Sequence, residues 1–137
     1  MKKTQYLSLA DIIAIHESAM RRLGDEAKPL RDEGILESAV MRLQMATYYE
    51  GADIVRQAAL LGVGISQAQA FIDGNKRTGY LALNTYLRLN GLTYIGDRIA
   101  LAQQFERFAE RSNGPDEAID AFEAWLHQYV QPRQERE

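Results

Sequence analysis

The sequence predicts an all-α fold, a compact bundle of about six helices, and three observations carry that reading. Apolar residues recur at helical spacing along most of the 137 residues. Two segments, 54–65 and 80–89, are apolar on nearly every side, as helices in the middle of a bundle are. The one extended segment, 92–96, is too short for more than a linker or a minor edge strand.

Each element follows from local signals. Ser8 suits an N-cap, and Leu9, Ile12, Ile13, His16, Met20 and Leu23 share one face of a first helix ending near Gly24. His16 reads as a boundary histidine hydrogen-bonded within the fold, in preference to a catalytic one. Residues 24–34 are polar and broken by Pro29 and two glycines, so they read as a loop. A second helix covers about 35–49, with Ile35, Leu36, Ala39, Val40, Leu43 and Ala46 as its stripe; Tyr48 and Tyr49 at its end read as packing aromatics.

A third helix covers about 53–69 with Asp53 as cap, and Gly62 and Gly64 inside it point to a close helix contact or a kink. The fourth, 75–90, is stopped by Gly91 and pairs with the third as a central hairpin. The fifth runs from 99 to about 111 and carries Leu101, Ala102, Phe105 and Phe108. The last opens at Gly114-Pro115, with Ile119, Phe122, Trp125, Leu126 and Tyr129 inward and His127 in solvent. Residues 1–132 read as one domain and 133–137 as a frayed, charged tail.

Composition narrows the class. An apolar fraction of 46% with only three prolines argues against a disordered chain. The net charge of −3 mixes acids and bases along the chain and leaves no basic footprint, so direct DNA binding is not expected. There are no cysteines, which excludes disulfides and thiolate metal sites and suits a reducing cytoplasm. The first residues lack a secretory apolar core, and no run reaches membrane-spanning length. A cytoplasmic protein with no membrane partner is expected.

Between the two most apolar segments sits a polar knot, Gln69-Ala70-Phe71-Ile72-Asp73-Gly74-Asn75-Lys76-Arg77-Thr78-Gly79. Buried charge is costly unless partnered, and the partner these residues suit is a phosphate. Gly74 permits a sharp turn, and Asn75 suits a helix start. The amides of Lys76, Arg77 and Thr78 would then lack intrahelical acceptors and, with the helix dipole, make an anion site. Lys76 and Arg77 add full charges, Arg77 as a bidentate fork. Asp73 beside an anion makes sense with a bridging magnesium ion, held by a carboxylate and substrate phosphates. The spacing is not that of a P-loop.

This stretch resembles the signature of the Fic/Doc family, His-x-Phe-x-(Asp/Asn/Glu)-(Gly/Ala)-Asn-(Gly/Lys)-Arg, and its Asn-Lys-Arg-Thr run resembles the death-on-curing (Doc) toxin branch. Phe71, Asp73, Gly74, Asn75, Lys76 and Arg77 match it in order. Gln69 stands at the family's general-base histidine, and Tyr80 at the second arginine of nucleotidylating members. The resemblance implies a Fic/Doc-like fold, a flap at residues 24–34 (which a solvated connector would match equally in composition), and ATP as substrate with Mg2+. Phe71, Gly74, Asn75, Lys76 and Arg77 would hold the nucleotide, Asp73 the metal, and Gln69, Asp73 and Arg77 would occupy the catalytic positions.

The activity implied is that of a toxin of a toxin–antitoxin pair, a Doc-like kinase moving the ATP γ-phosphate to a hydroxyl of a translation elongation factor like Tu. Lys76 in place of glycine, and Tyr80 in place of arginine, favour this over Fic-type AMP transfer. A glutamine amide cannot take a proton at neutral pH, so impaired turnover is expected. A non-catalytic member that binds nucleotide or antitoxin is the reading from another class. The family's self-inhibitory pattern, Ser/Thr-x3-Glu-(Gly/Asn), fails at both Glu33-Gly34 and Glu50-Gly51, which Pro29 and Ala46 precede. A separate antitoxin with a disordered tail is therefore the expected partner.

Overall fold

A computed structural model describes residues 3–24, 30–110 and 115–134, with the side chains of 46–50, 115 and 116 outside that set. Six helices and a two-stranded sheet follow in order: α1 (Leu9–Arg22), α2 (Glu33–Glu50), α3 (Ile54–Ala68), α4 (Asn75–Leu89), β1 (Leu92–Tyr94), α5 (Arg98–Glu110), α6 (Pro115–His127) and β2 (Val130–Pro132). The all-α expectation holds, with the small sheet as an addition.

Caps set the helix starts. Ser8 forms a capping box with Asp11, which satisfies two backbone donors that α1 would otherwise leave open. Asp32 caps α2 through the Ile35 amide, so this helix begins two residues earlier than its apolar stripe suggested and takes Glu33 and Gly34 out of the expected loop. Asp53 caps α3 through the Arg56 amide. Residues 25–29 of the expected flap, the side chains of Ala46, Tyr48 and Tyr49, and residues 135–137 of the expected tail lie outside the described residues.

The α3 helix is the hub. It buries Val55, Ala58, Ala59, Leu61, Val63 and Ile65, and its main partner is α4, as the central hairpin requires. The two backbones approach closely because both carry glycine at the crossing. A Cβ on Gly79 would run into the Gly62 carbonyl oxygen, and one on Gly62 would sit 3.1 Å from the Gly79 carbonyl. Gly64 has ordinary room, with Ala39 at 3.6 Å, so close contact explains Gly62 and not Gly64.

Three apolar assignments need correction, the first being Ile35, which is exposed in the first turn of α2. Leu23 is exposed, because it forms the C-cap beyond the last turn of α1. Tyr129 lies past α6 in the turn before β2, where its ring packs 5.0 Å from Trp125. β2 itself carried no sequence signal: it pairs antiparallel with β1, Leu92 opposite Pro132 and Tyr94 opposite Val130. Among the described residues, no helix is long and apolar enough to cross a membrane.

Candidate active site

The polar knot is the connection between α3 and α4, and its own side chains shape it. Gln69 ends α3 in the left-handed conformation, φ 55°, the one non-glycine residue with positive φ among those described. Its side-chain amide donates to the Ser66 carbonyl at 2.9 Å, and its Oε1 accepts from Asn75 Nδ2 at 3.5 Å. The Gln69 carbonyl accepts from the Arg31 guanidinium. The chain then runs extended through Ala70 and Phe71. Here Leu30 and Phe71 form an antiparallel bridge, and Arg31 N–H donates to Ala70 O at 2.7 Å. Leu30 to Asp32, just before α2, are thus tied to the knot by backbone hydrogen bonds.

Gly74, φ 80°, turns the chain into α4 as its N-cap. Two constraints require glycine here. The backbone is left-handed, and a Cβ would meet the Met20 sulfur at 2.8 Å. Asn75, expected as the helix-starting cap, is instead the first helical residue and is buried. Its side chain folds back on the loop, accepting from Phe71 N–H at 3.0 Å and donating to Phe71 O at 2.8 Å. Asn75 therefore fixes the loop, and its side chain is fully occupied within the protein.

The amides sort differently from the sequence expectation in one respect. Thr78 N–H donates to Gly74 O at 2.9 Å and starts the helical ladder, so it is not available to an anion. The Gly74 amide donates to its neighbour Asp73 Oδ1 at 2.8 Å. No side chain caps the helix, which leaves the first-turn amides of Asn75, Lys76 and Arg77 without an intrahelical acceptor.

The charged groups stand around this end. Lys76 Nζ lies 3.4 Å from Glu106 Oε1, both exposed, a pair worth about 0–1 kcal/mol. Arg77 is exposed and makes no ion pair or hydrogen bond among the described residues. A lone cation at the positive end of a helix dipole is electrostatically unfavourable, and an anion would reverse the sign. Beside it a cleft of ≈ 630 Å³ opens between α4 and α5, lined by Lys76, Arg77, Tyr80, Asp97, Arg98 and Phe105 among others. That volume lies within the usual range for small-molecule sites. Asp73 is exposed and keeps one carboxylate oxygen without a partner. A single available carboxylate suits magnesium that takes most of its ligands from water and phosphate.

Phe71 is 2% exposed and stacks on His16, ring centroids 3.9 Å apart at 10°. His16 Nε2 lies 2.8 Å from the Asp73 carbonyl oxygen. Both rings sit beneath the loop and present no face to a ligand. His16 is thus hydrogen-bonded within the fold as expected, although fully buried where a boundary position was read. The sequence reasoning missed Arg31 and Arg98 as neighbours of the site, whereas Tyr80, singled out there, does line the cleft. Arg31 and Arg98 fall at the margins of helices, where periodicity carries no information about contacts.

The Fic/DOC family matches residues 6–87, which span α1 through most of α4 and contain the whole knot. The chain is 36% identical over 98 residues to Toxin Doc of Mycolicibacterium smegmatis, an overlap of 69% of this chain and 71% of that protein.

Proposed function

Because the chain belongs to the Fic/DOC family, we propose that it is the toxin of a toxin–antitoxin pair, carrying a Doc-type site for ATP at the start of α4. The observation that carries the reading is Arg77: an exposed cation without a partner among the described residues, beside three uncapped amides. Such a cluster favours an anion of several negative charges, and a nucleotide polyphosphate fits it.

The reaction would be phosphoryl transfer from ATP to a protein hydroxyl. The bond between the β,γ-bridging oxygen and the γ-phosphorus breaks, a new oxygen–phosphorus bond forms, and ADP leaves. The Asn75–Arg77 amides, Lys76 and Arg77 would hold the phosphates and balance their charge. Asp73 would hold magnesium, which when bound supplies further positive charge to the phosphate oxygens. The hydroxyl proton has no base to receive it at Gln69. The glutamine, itself held by Ser66 and Asn75, can orient a hydroxyl and no more. Losing a general base typically costs about 10² to 10⁴ in rate, so native turnover would be weak.

Transfer of the γ-phosphate is preferred over AMP transfer because Lys76 and Tyr80 occupy the positions discussed above. The target class would be a translation elongation factor, and the expected partner an antitoxin. Gln69→His, incubated with ATP labelled at the γ or α phosphate and with purified translation factors, tests this reading. Label from the γ position alone supports the kinase, and label from the α position replaces it with AMP transfer. ATP binding without any transfer from the His variant leaves a nucleotide-binding member.

A further inference from the structure

The opposite end of α3 carries a second group of ligating side chains. It lies about 22 Å along the helix from Gln69, at roughly 1.5 Å per residue. Asp53 Oδ2 is 3.3 Å from His127 Nε2, and a Glu123 carboxylate oxygen completes a trio whose ligand atoms all lie within 4.8 Å of one another. Three rigid points hold them. Asp53 is locked as the α3 cap, its Oδ1 accepting from Arg56 N–H at 2.9 Å. Glu123 and His127 sit one turn apart on α6. The Arg56 guanidinium donates to Glu123 at 3.4 Å and to Asp120 at 2.7 Å.

We propose that Asp53, Glu123 and His127 form a zinc site that clasps the start of α3 to the end of α6. The separation of 3.3 Å is long for an N–H···O hydrogen bond, whose mode is about 2.9–3.0 Å. It is close to the ligand–ligand edge of a tetrahedral zinc centre, about 3.4 Å for bonds of about 2.0–2.1 Å. The charge also fits. Asp53, Glu123 and Asp120 against Arg56 leave two negative charges, which a dication balances. An imidazole among the ligands selects zinc over magnesium or calcium, which take oxygen donors. Both carboxylates are already hydrogen-bonded by Arg56, the outer support that metal-ligating carboxylates characteristically have. The side chains of Asp53 and His127 are about half exposed, so the ion has a way in and water can take the fourth position.

Titration of the tag-free full chain with Zn²⁺ by calorimetry, and with Co²⁺ by visible absorption, tests the site. One equivalent should bind, the melting temperature should rise, and Co²⁺ should show the intense bands of tetrahedral coordination. His127→Gln and Glu123→Gln should each lower zinc affinity about tenfold or more. Asp53→Asn should do the same while keeping the helix cap, since asparagine caps as well as aspartate. ATP binding at the far end of α3 should be unchanged in all three. A folded chain with no saturable Zn²⁺ binding, or affinity unchanged in His127→Gln, overturns the proposal and leaves an exposed ion-pair network.

Discussion

His16 on α1 holds the loop that starts α4: its Nε2 is 2.8 Å from the Asp73 carbonyl oxygen. The bond reaches across 57 residues of sequence and lands on the peptide just before Gly74. The same imidazole lies flat on Phe71. One buried side chain therefore fixes both the floor of the knot and the turn that aims the first amides of α4 outward.

Replacing that side chain separates the two contacts. His16→Phe keeps the stack and loses the hydrogen bond, and should destabilise the fold by about 1–3 kcal/mol in chemical denaturation. His16→Ala loses both and leaves a cavity, for an expected cost of about 3–5 kcal/mol. In the Phe variant, ATP affinity measured by calorimetry should also fall, because Gly74 is released. Undiminished affinity would mean that Asn75 alone holds the loop.

Gln69 predicts a gain instead. A residue with a Cβ in the left-handed region costs roughly 1–2 kcal/mol, and helices commonly end there in glycine. Gln69→Gly should raise the unfolding free energy by about 1 kcal/mol, the strain relief outweighing a part-buried hydrogen bond to Ser66. Strain held by a non-glycine residue inside a candidate site is a common mark of function. A loss of similar size would show that the bonds to Ser66 and Asn75 matter more than the backbone.

How far the sequence could be read depends on which interactions are local. Caps such as Ser8 and Asp53 and the turn at Gly74 declare themselves within four residues, so those helix starts were legible. The helical periods gave the buried faces of α3 and α4. By contrast, the strand Val130–Pro132 exists only because Leu92–Tyr94 lies beside it, a pairing across nearly forty residues with no local signature. The set of free amides at α4 lies one residue earlier than expected because Gly74, and not Asn75, took the cap position. Asparagine has a better use here, since its two-ended amide satisfies both backbone groups of buried Phe71. The knot was therefore found by its residues, while the division of labour inside it needed distances.

The helix crossing gives a steric prediction. Gly79 closes the polar knot two residues beyond the signature, and its constraint is packing: any Cβ would strike the Gly62 carbonyl. Backbone cannot step aside as a side chain can. Gly79→Ala should cost about 1–3 kcal/mol or more, the usual range for overpacking. It should also cost ATP affinity, because α4 would move with its N-terminus. Gly64→Ala, whose Cβ would make an ordinary 3.6 Å contact with Ala39, should be near neutral and serves as the control.

Alkaline pH should reveal two phenols, Tyr86 buried and Tyr94 half-buried. Burial, with Tyr6 nearby, raises the Tyr86 hydroxyl far above its usual range, and burial, with Tyr80 nearby, pushes Tyr94 up to about 12. Both are neutral in the fold and must stay so. Their contribution to stability is complete below the unfolded value of about 10 and is lost as pH rises toward and through the folded value. The denaturation midpoint should be flat to about pH 10 and fall between about 10 and 12. Tyr86 and Tyr94 should titrate late by ultraviolet absorbance. Tyr86→Phe should remove one of these while destabilising at neutral pH, since Gln57 Oε1 loses its donor.

The sharpest test of the site separates stability from binding. Arg77 stands at the positive end of α4 and makes no ion pair among the described residues, so the described contacts give the fold no gain from its charge. Removing a cation from a helix N-terminus should stabilise by about 0.3–1 kcal/mol. Arg77→Ala should therefore leave the midpoint unchanged or slightly higher. Its effect on ATP affinity should run the other way, because a charge-assisted hydrogen bond to phosphate is worth about 1.5–3 kcal/mol, or roughly 10- to 150-fold. Lys76→Ala breaks an exposed pair with Glu106 and should cost less in both respects. Opposite signs for stability and affinity at one position are what a residue kept for a ligand produces, and equal losses in both would place Arg77 in the scaffold instead.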